Sequence, residues 1–152
     1  MGAVAIYSRA YRVYWSETDA ALMMHFSNFF RVCERTEEEF LASLGISQRG
    51  SPGSRLLMPR VHAECDYKRP LRPGDDYRVD LVDVVLGRTS VTYTYEIYNL
   101  ASGQLAATCR IVAVSYDERA DRAVEIPSDV REALKRAGAR ERKREEPVSQ
   151  GL

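Results

Sequence analysis

The chain has 152 residues, 45% hydrophobic and 29% charged, a length and balance that suit one globular domain with a core large enough to need no disulfide staples. Its 22 lysines and arginines are matched by 22 aspartates and glutamates. No net field therefore recruits nucleic acid or an anionic membrane, and any polyanionic ligand needs a local basic patch.

Along the chain, Tyr11, Val13 and Trp15 alternate with Arg12 and Tyr14, which predicts a half-buried strand over Ala10 to Trp15. The turn-forming run Ser16-Glu17-Thr18-Asp19 follows. Ser27 or Asn28 can then cap a helix in which Phe26, Phe29, Phe30, Cys33, Phe40, Leu41 and Leu44 recur at helical spacing. Glu34, Arg35, Glu37, Glu38 and Glu39 fill the opposing positions, as a solvated face or helix ion pairs. Gly45 stops the helix after about four to five turns.

Residues 46–55 include Gly50, Pro52, Gly53 and three serines, and read as a mobile loop. The period then becomes two: Val61, Ala63, Cys65 and Tyr67 oppose Arg60, His62, Glu64, Asp66 and Lys68. Pro70, Pro73 and Gly74 turn the chain into a strand over Tyr77 to Leu86. Gly87 breaks that run, Val91, Tyr93, Tyr95 and Ile97 mark the next strand, and Leu105 to Tyr116 a last long one. Ser128 or Asp129 can cap a short helix through Leu134.

Strand, long helix and four strands joined by short turns make an α+β domain whose antiparallel sheet curls around one apolar helix. The domain covers residues 1–137; residues 138–152 are a mixed-charge run without apolar periodicity, read as a flexible tail or a solvated helix extension. Five strands leave an exposed edge that pairing between two copies would cover, so a homodimer or homotetramer is expected. Cys33, Cys65 and Cys109 are odd in number and show neither a CxxC pair nor metal-ligand spacing, which points to reduced, mostly buried thiols in a cytoplasmic protein. No stretch approaches the roughly eighteen apolar residues of a membrane span.

The run from Glu17 to Phe29, Glu-Thr-Asp-Ala-Ala-Leu-Met-Met-His-Phe-Ser-Asn-Phe, resembles the opening motif of the 4-hydroxybenzoyl-CoA thioesterase-like hotdog family. The resemblance continues through Phe30-Arg-Val-Cys-Glu-Arg-Thr-Glu-Glu-Glu-Phe-Leu and resumes at Cys65-Asp-Tyr-Lys-Arg-Pro-Leu-Arg-Pro-Gly-Asp75 and Gly87-Arg-Thr-Ser-Val91. It implies a hotdog fold, a sheet wrapped around a central helix, and hydrolysis of an acyl-CoA thioester.

The resemblance aligns Asp19 with the family's catalytic aspartate, and the chemistry explains why an acid is needed there. A thioester carbonyl is attacked either by a water that a carboxylate activates or by the carboxylate itself. The developing oxyanion needs oriented donors, which a helix start supplies through its unpaired N–H groups. The resemblance makes the backbone amide of Phe26 that donor. A turn or capping role is the alternative for Asp19, since Ser-Glu-Thr-Asp is good turn composition. His25 is either a hydrogen-bond partner of the substrate or a structural histidine. Glu17 is a neighbouring acid without an assigned role.

Met23 and Met24 suit an apolar acyl chain or packing between subunits. Arg88, Thr89 and Ser90 are candidates for the coenzyme A phosphates and pantetheine, with Arg69, Arg72 and Arg110 as weaker ones. Leu22 stands where many relatives have glycine, which implies a different loop path or a tighter pocket. No metal or bound cofactor is required, coenzyme A being part of the substrate. A thioesterase acting on acyl carrier protein and a non-catalytic acyl-CoA binder are the alternative readings.

Overall fold

The computed structural model describes residues 4–47 and 56–143. Strand β1 (Tyr7–Arg12) leads to helix α1 (Phe26–Ser43), followed by strands β2 (Arg60–Tyr67), β3 (Asp76–Leu86), β4 (Ser90–Asn99) and β5 (Leu105–Val114). A short hairpin, β6 (Tyr116–Asp117) and β7 (Arg122–Ala123), then helix α2 (Ser128–Ala137) and strand β8 (Arg140–Glu141) follow. The main sheet runs β1-β3-β4-β5-β2, every neighbour antiparallel, with β8 added in parallel beside the end of β3.

The core lies between α1 and the sheet. Phe29, Val32, Cys33, Thr36, Phe40 and Leu41 form the buried stripe of the helix at three- and four-residue spacing. They meet Leu81 and Val84 of β3, Tyr93, Tyr95 and Ile97 of β4, and Cys109 and Ile111 of β5. In register, Tyr95 sits between Leu81 and Cys109, and Tyr93 between Val84 and Ile111, so each aromatic ring packs on aliphatic or thiol neighbours. Burying each large side chain contributes about 1.5–3 kcal/mol, which is why these strands hold the helix firmly.

Several boundaries differ from the pattern-based expectation. The first strand is Tyr7–Arg12 rather than Ala10 to Trp15, because after Arg12 the chain leaves the sheet: the Val13 N–H bonds the Asp75 carbonyl. Trp15 lies in a single 3-10 turn and is exposed. Strand β5 stops at Val114, with Tyr116 in the separate hairpin. Ala63 and Tyr67, expected on the buried face of β2, are exposed because β2 is the sheet's edge and bonds only to β5 among the described residues.

Residues 138–143, read from sequence as part of the charged tail, are structured. Gly138 caps α2 in the left-handed conformation, Arg140 and Glu141 pair with Val85 and Leu86, and Arg140 is bound to Asp83 at 3.0 Å. Residues 144–152 and most of the serine- and glycine-containing loop, 48–55, lie outside the described residues. Cys33 and Cys109 are buried and Cys65 half-buried, all as free thiols. Among the described residues no helix is long and apolar enough to cross a membrane.

Candidate active site at the start of the long helix

Residues 13–25 cross from the end of β1 to the start of α1 and are tied down from both sides. The Met24 N–H bonds the Leu71 carbonyl at 2.6 Å, and Thr18 and Met24 form an isolated antiparallel bridge. The Asp19 N–H bonds the Met23 carbonyl at 2.9 Å, and the Leu22 N–H bonds the Asp19 carbonyl at 3.0 Å. The loop therefore doubles back, and Asp19 is drawn alongside Met23 and Met24, close in sequence to the helix start. Its Oδ1 accepts from the Ala21 N–H at 2.8 Å, a turn-stabilising bond. The turn role and an available carboxylate thus coexist: Oδ2 has no partner among the described residues, and Asp19 is half-buried.

Leu22 has φ 57°, the left-handed conformation that glycine adopts without strain. The loop thus places leucine in a conformation that glycine tolerates better, and the Leu22 side chain is exposed.

The helix cap is His25, not Ser27 or Asn28. Its Nδ1 accepts from the Ser27 N–H at 3.2 Å and lies 2.8 Å from Ser27 Oγ. With Nδ1 accepting, a neutral ring carries its proton on Nε2, so it can donate a hydrogen bond there but not remove a proton. Asn28 instead sends its side-chain amide to the Glu17 carbonyl at 2.8 Å, and the same carbonyl accepts from the His25 N–H at 2.9 Å. Glu17 Oε1 accepts from the Tyr14 N–H at 2.8 Å, so this acid is engaged in closing its own turn.

Phe26 is the first residue of α1, and its N–H has no acceptor among the described residues, as expected for a first-turn amide. Its carbonyl accepts from the Tyr67 hydroxyl at 2.9 Å, a contact that sequence spacing could not reveal because 41 residues separate the two. Tyr14, Trp15, Leu22, Phe26 and Tyr67 are large apolar residues left exposed around this end of the sheet.

Met23 is half-buried beside Asp19, whereas Met24 is 3% exposed and belongs to the core. Arg88, Thr89 and Ser90 are not brought to Asp19 within one chain. Arg12 pairs with Asp76 at the start of β3, next to the loop, while the Gly87–Ser90 turn follows Leu86 at its far end. At about 3.3 Å per residue the strand separates them by roughly 30 Å.

There, Arg88 is exposed beside Glu125, and Ser90 is buried. Arg131 donates to the Gly87 carbonyl at 2.6 Å and to Glu141 at 2.8 Å. Leu86, Gly87, Arg88, Arg131, Glu141 and Arg142 line a cleft of about 400 Å³. Arg131 and Arg142 were not identified from sequence, Arg142 because it falls in the segment read as a tail. Arg110 is paired with Glu64 at 2.5 Å.

Glu37 corrects the reading of the helix's acidic face. Glu34 and Glu38 are exposed, but Glu37 is fully buried, with Oε2 2.5 Å from Arg60. Burial outweighs the pull of Arg60 and pushes its carboxyl up to about 7, with the negative charge of Glu34 adding to the rise. It is eleven residues along α1 from Phe26, about 16 Å, and so is not part of the helix-start constellation. Among the described residues no group of three or more His, Cys, Asp or Glu is placed to hold a metal ion.

The sequence profile of the thioesterase-like superfamily matches residues 13–134. The chain belongs to that superfamily. The thioesterase-like match includes the loop of Asp19, the whole of α1 and all strands from β2 to β7. A 1,4-dihydroxy-2-naphthoyl-CoA hydrolase of Synechococcus sp. strain CC9311 is 33% identical over 128 residues, 78% of this chain and 83% of the relative. A protein of the same name from Synechococcus elongatus is 28% identical over 122 residues, 79% of this chain and 88% of its own.

The crystal structure of a 1,4-dihydroxy-2-naphthoyl-CoA thioesterase from Synechocystis superposes with a TM-score of 0.78 at 25% identity, covering 85% of this chain and 95% of that one. The fold is therefore the hotdog fold of thioesterases, and the superfamily is one of hydrolytic enzymes.

Proposed function

We propose that this chain hydrolyses an acyl-CoA thioester to the free acid and coenzyme A, with Asp19 as general base or nucleophile and the Phe26 N–H as oxyanion donor. One observation carries the reading: a half-buried carboxylate sits on a loop folded back against the start of α1, and among the described residues neither its Oδ2 nor the Phe26 N–H has a partner. In the base mechanism Asp19 takes a proton from water as the water oxygen attacks the thioester carbon. In the nucleophile mechanism an Asp19 oxygen attacks, coenzyme A leaves as the thiolate and takes a proton from water, and a water then cleaves the mixed anhydride and restores the carboxylate. Either way the carbonyl oxygen becomes negative beside Phe26 N–H and the positive end of the helix dipole. His25 holds that helix start as its cap. The relatives named 1,4-dihydroxy-2-naphthoyl-CoA hydrolase make a bicyclic aromatic acyl-CoA the first substrate to try.

The reading also calls for a homodimer. Strand β2 is an edge, and the exposed apolar residues Tyr14, Trp15, Phe26 and Tyr67 are a surface that a second copy would cover. Two β2 strands paired antiparallel about a two-fold axis set the Tyr67 end of one chain against the Arg60 end of its partner. The Gly87–Ser90 turn lies at that Arg60 end, since Ser90 pairs with Val114 and Arg60 with Ala113. Such a dimer carries one chain's Arg88 toward the other's Asp19, so that Arg88 can meet the phosphates of a coenzyme A whose thioester lies at Phe26.

The test is a thiol-release assay on purified protein with short, long and aromatic acyl-CoAs. Turnover by the wild type and its loss in Asp19→Asn are expected. No turnover of any member, or full rate in Asp19→Asn, would sink the mechanism.

A further inference from the structure

Tyr67 ends the edge strand β2, and its hydroxyl donates to the Phe26 carbonyl at 2.9 Å. Its ring meets Phe29 edge-on, with centroids 5.0 Å apart and planes at 89°. One side chain thus grips the first turn of α1 at two points. Neither polar partner needs the bond for its own satisfaction. A carbonyl at position 26 of the helix already accepts from the N–H of Phe30 in the helical ladder. Tyr67 is 46% exposed, so water could serve its hydroxyl. At neutral pH a phenol is protonated even at its ordinary value and can donate, and burial, then the neighbouring Cys65, raises this hydroxyl further above that range.

The other side-chain and cap hydrogen bonds at the helix start go to the loop. Asn28 and the His25 N–H both bond the Glu17 carbonyl. Those bonds fix the loop and the helix start to each other, and Tyr67 ties the pair to β2.

We propose that Tyr67 is a positioning residue for thioester hydrolysis: by anchoring the first turn of α1 to the sheet, it sets where the Phe26 N–H points. The proposal rests on the reading of that amide as the oxyanion donor. Such donors act over about 2.7–3.1 Å, and a misplacement of about 1 Å costs on the order of 100-fold in rate. A bond that never touches substrate therefore acts on kcat through Phe26.

The experiment compares wild type, Asp19→Asn and Tyr67→Phe, the last keeping the ring on Phe29 while removing only the donor. Kinetics use the acyl-CoA that the wild type hydrolyses best, and the Phe26 amide is followed in nitrogen–proton NMR spectra of the whole protein. In Tyr67→Phe, kcat is expected to fall about tenfold, less than the ~100-fold or more of losing an oxyanion donor outright. KM should stay within about twofold, and the Phe26 amide signal should move.

Wild-type kcat in Tyr67→Phe beside an inactive Asp19→Asn overturns the positioning role and leaves the site reading intact. A raised KM at unchanged kcat overturns it by making Tyr67 a substrate contact, and so does a lowered kcat with an unmoved amide. If the wild type hydrolyses nothing, the site reading has failed, and the catalytic role of Tyr67 falls with it. The Phe26 signal in Tyr67→Phe then still shows whether the anchor exists.

Discussion

Leu22 holds a left-handed backbone conformation, φ 57°, while its N–H bonds the carbonyl of Asp19 three residues earlier at 3.0 Å. That turn aims the Asp19 region back at the helix start, and it is kept by a residue type that disfavours it. A left-handed residue with a Cβ costs roughly 1–2 kcal/mol, and glycine returns part of that gain as unfolded-chain entropy, about 0.5–1 kcal/mol. Leu22→Gly should therefore leave stability within about 1 kcal/mol of wild type or raise it. Leu22→Val, branched at Cβ, should lower stability by more than about 1 kcal/mol. Urea unfolding of both variants checks this; a large loss in Leu22→Gly would mean that the exposed side chain is held by contacts the single chain does not show.

Glu37 gives a pH dependence with a defined sign. Its folded-state carboxyl is raised from 4.5 to about 7 by burial, so the folded state binds the proton more tightly than the unfolded one. The stability this adds is fully present below the unfolded value and is lost as pH rises through about 7. Wild-type stability should fall relative to Glu37→Gln between pH 5 and pH 8, by on the order of a few kcal/mol. Denaturant midpoints of the two proteins across that range test it, and a constant difference would show that Glu37 stays ionised beside Arg60.

His25 acts as the helix cap through Nδ1. Exchange for another good cap, His25→Asn, should keep both stability and most of the rate, whereas His25→Ala should lose roughly 1 kcal/mol. A rate loss of about 100-fold or more in a fully stable His25→Asn would instead assign His25 to the chemistry.

The proposed dimer predicts complementation between chains. Asp19→Asn and Arg88→Glu each damage both sites of their own homodimer, but a mixed dimer holds one site with Asp19 from one chain and Arg88 from the other. Equal mixing with random exchange should restore about a quarter of wild-type turnover at low acyl-CoA concentration. A mixture that gives only the average of its parents would show that Arg88 does not serve the partner's site.

Periodicity and turn chemistry were enough for the α+β class, the long helix ended at Gly45 and the strands from β2 to β5, because buried stripes must repeat at the period of the element that carries them. The helix start was legible only to within a few residues, since histidine is an uncommon cap whose role depends on where its ring turns. The first strand was misplaced because Val13 and Trp15 keep the alternation after the hydrogen bonds have left the sheet.

What the amino-acid sequence determined alone was the sheet-and-helix architecture and, through resemblance, the carboxylate to look at. Tertiary structure decided the rest. Glu37 reads like its neighbours Glu34 and Glu38, yet the angle of α1 on the sheet buries it and leaves them in water. Tyr67 reads as one more alternating strand residue, yet the packing of β2 under α1 brings its hydroxyl to Phe26. Arg88 reads as part of the site of Asp19, yet the length of β3 separates them. Local patterns report what each residue prefers along the chain, whereas contacts across 41 residues, as between Phe26 and Tyr67, exist only once the sheet has formed.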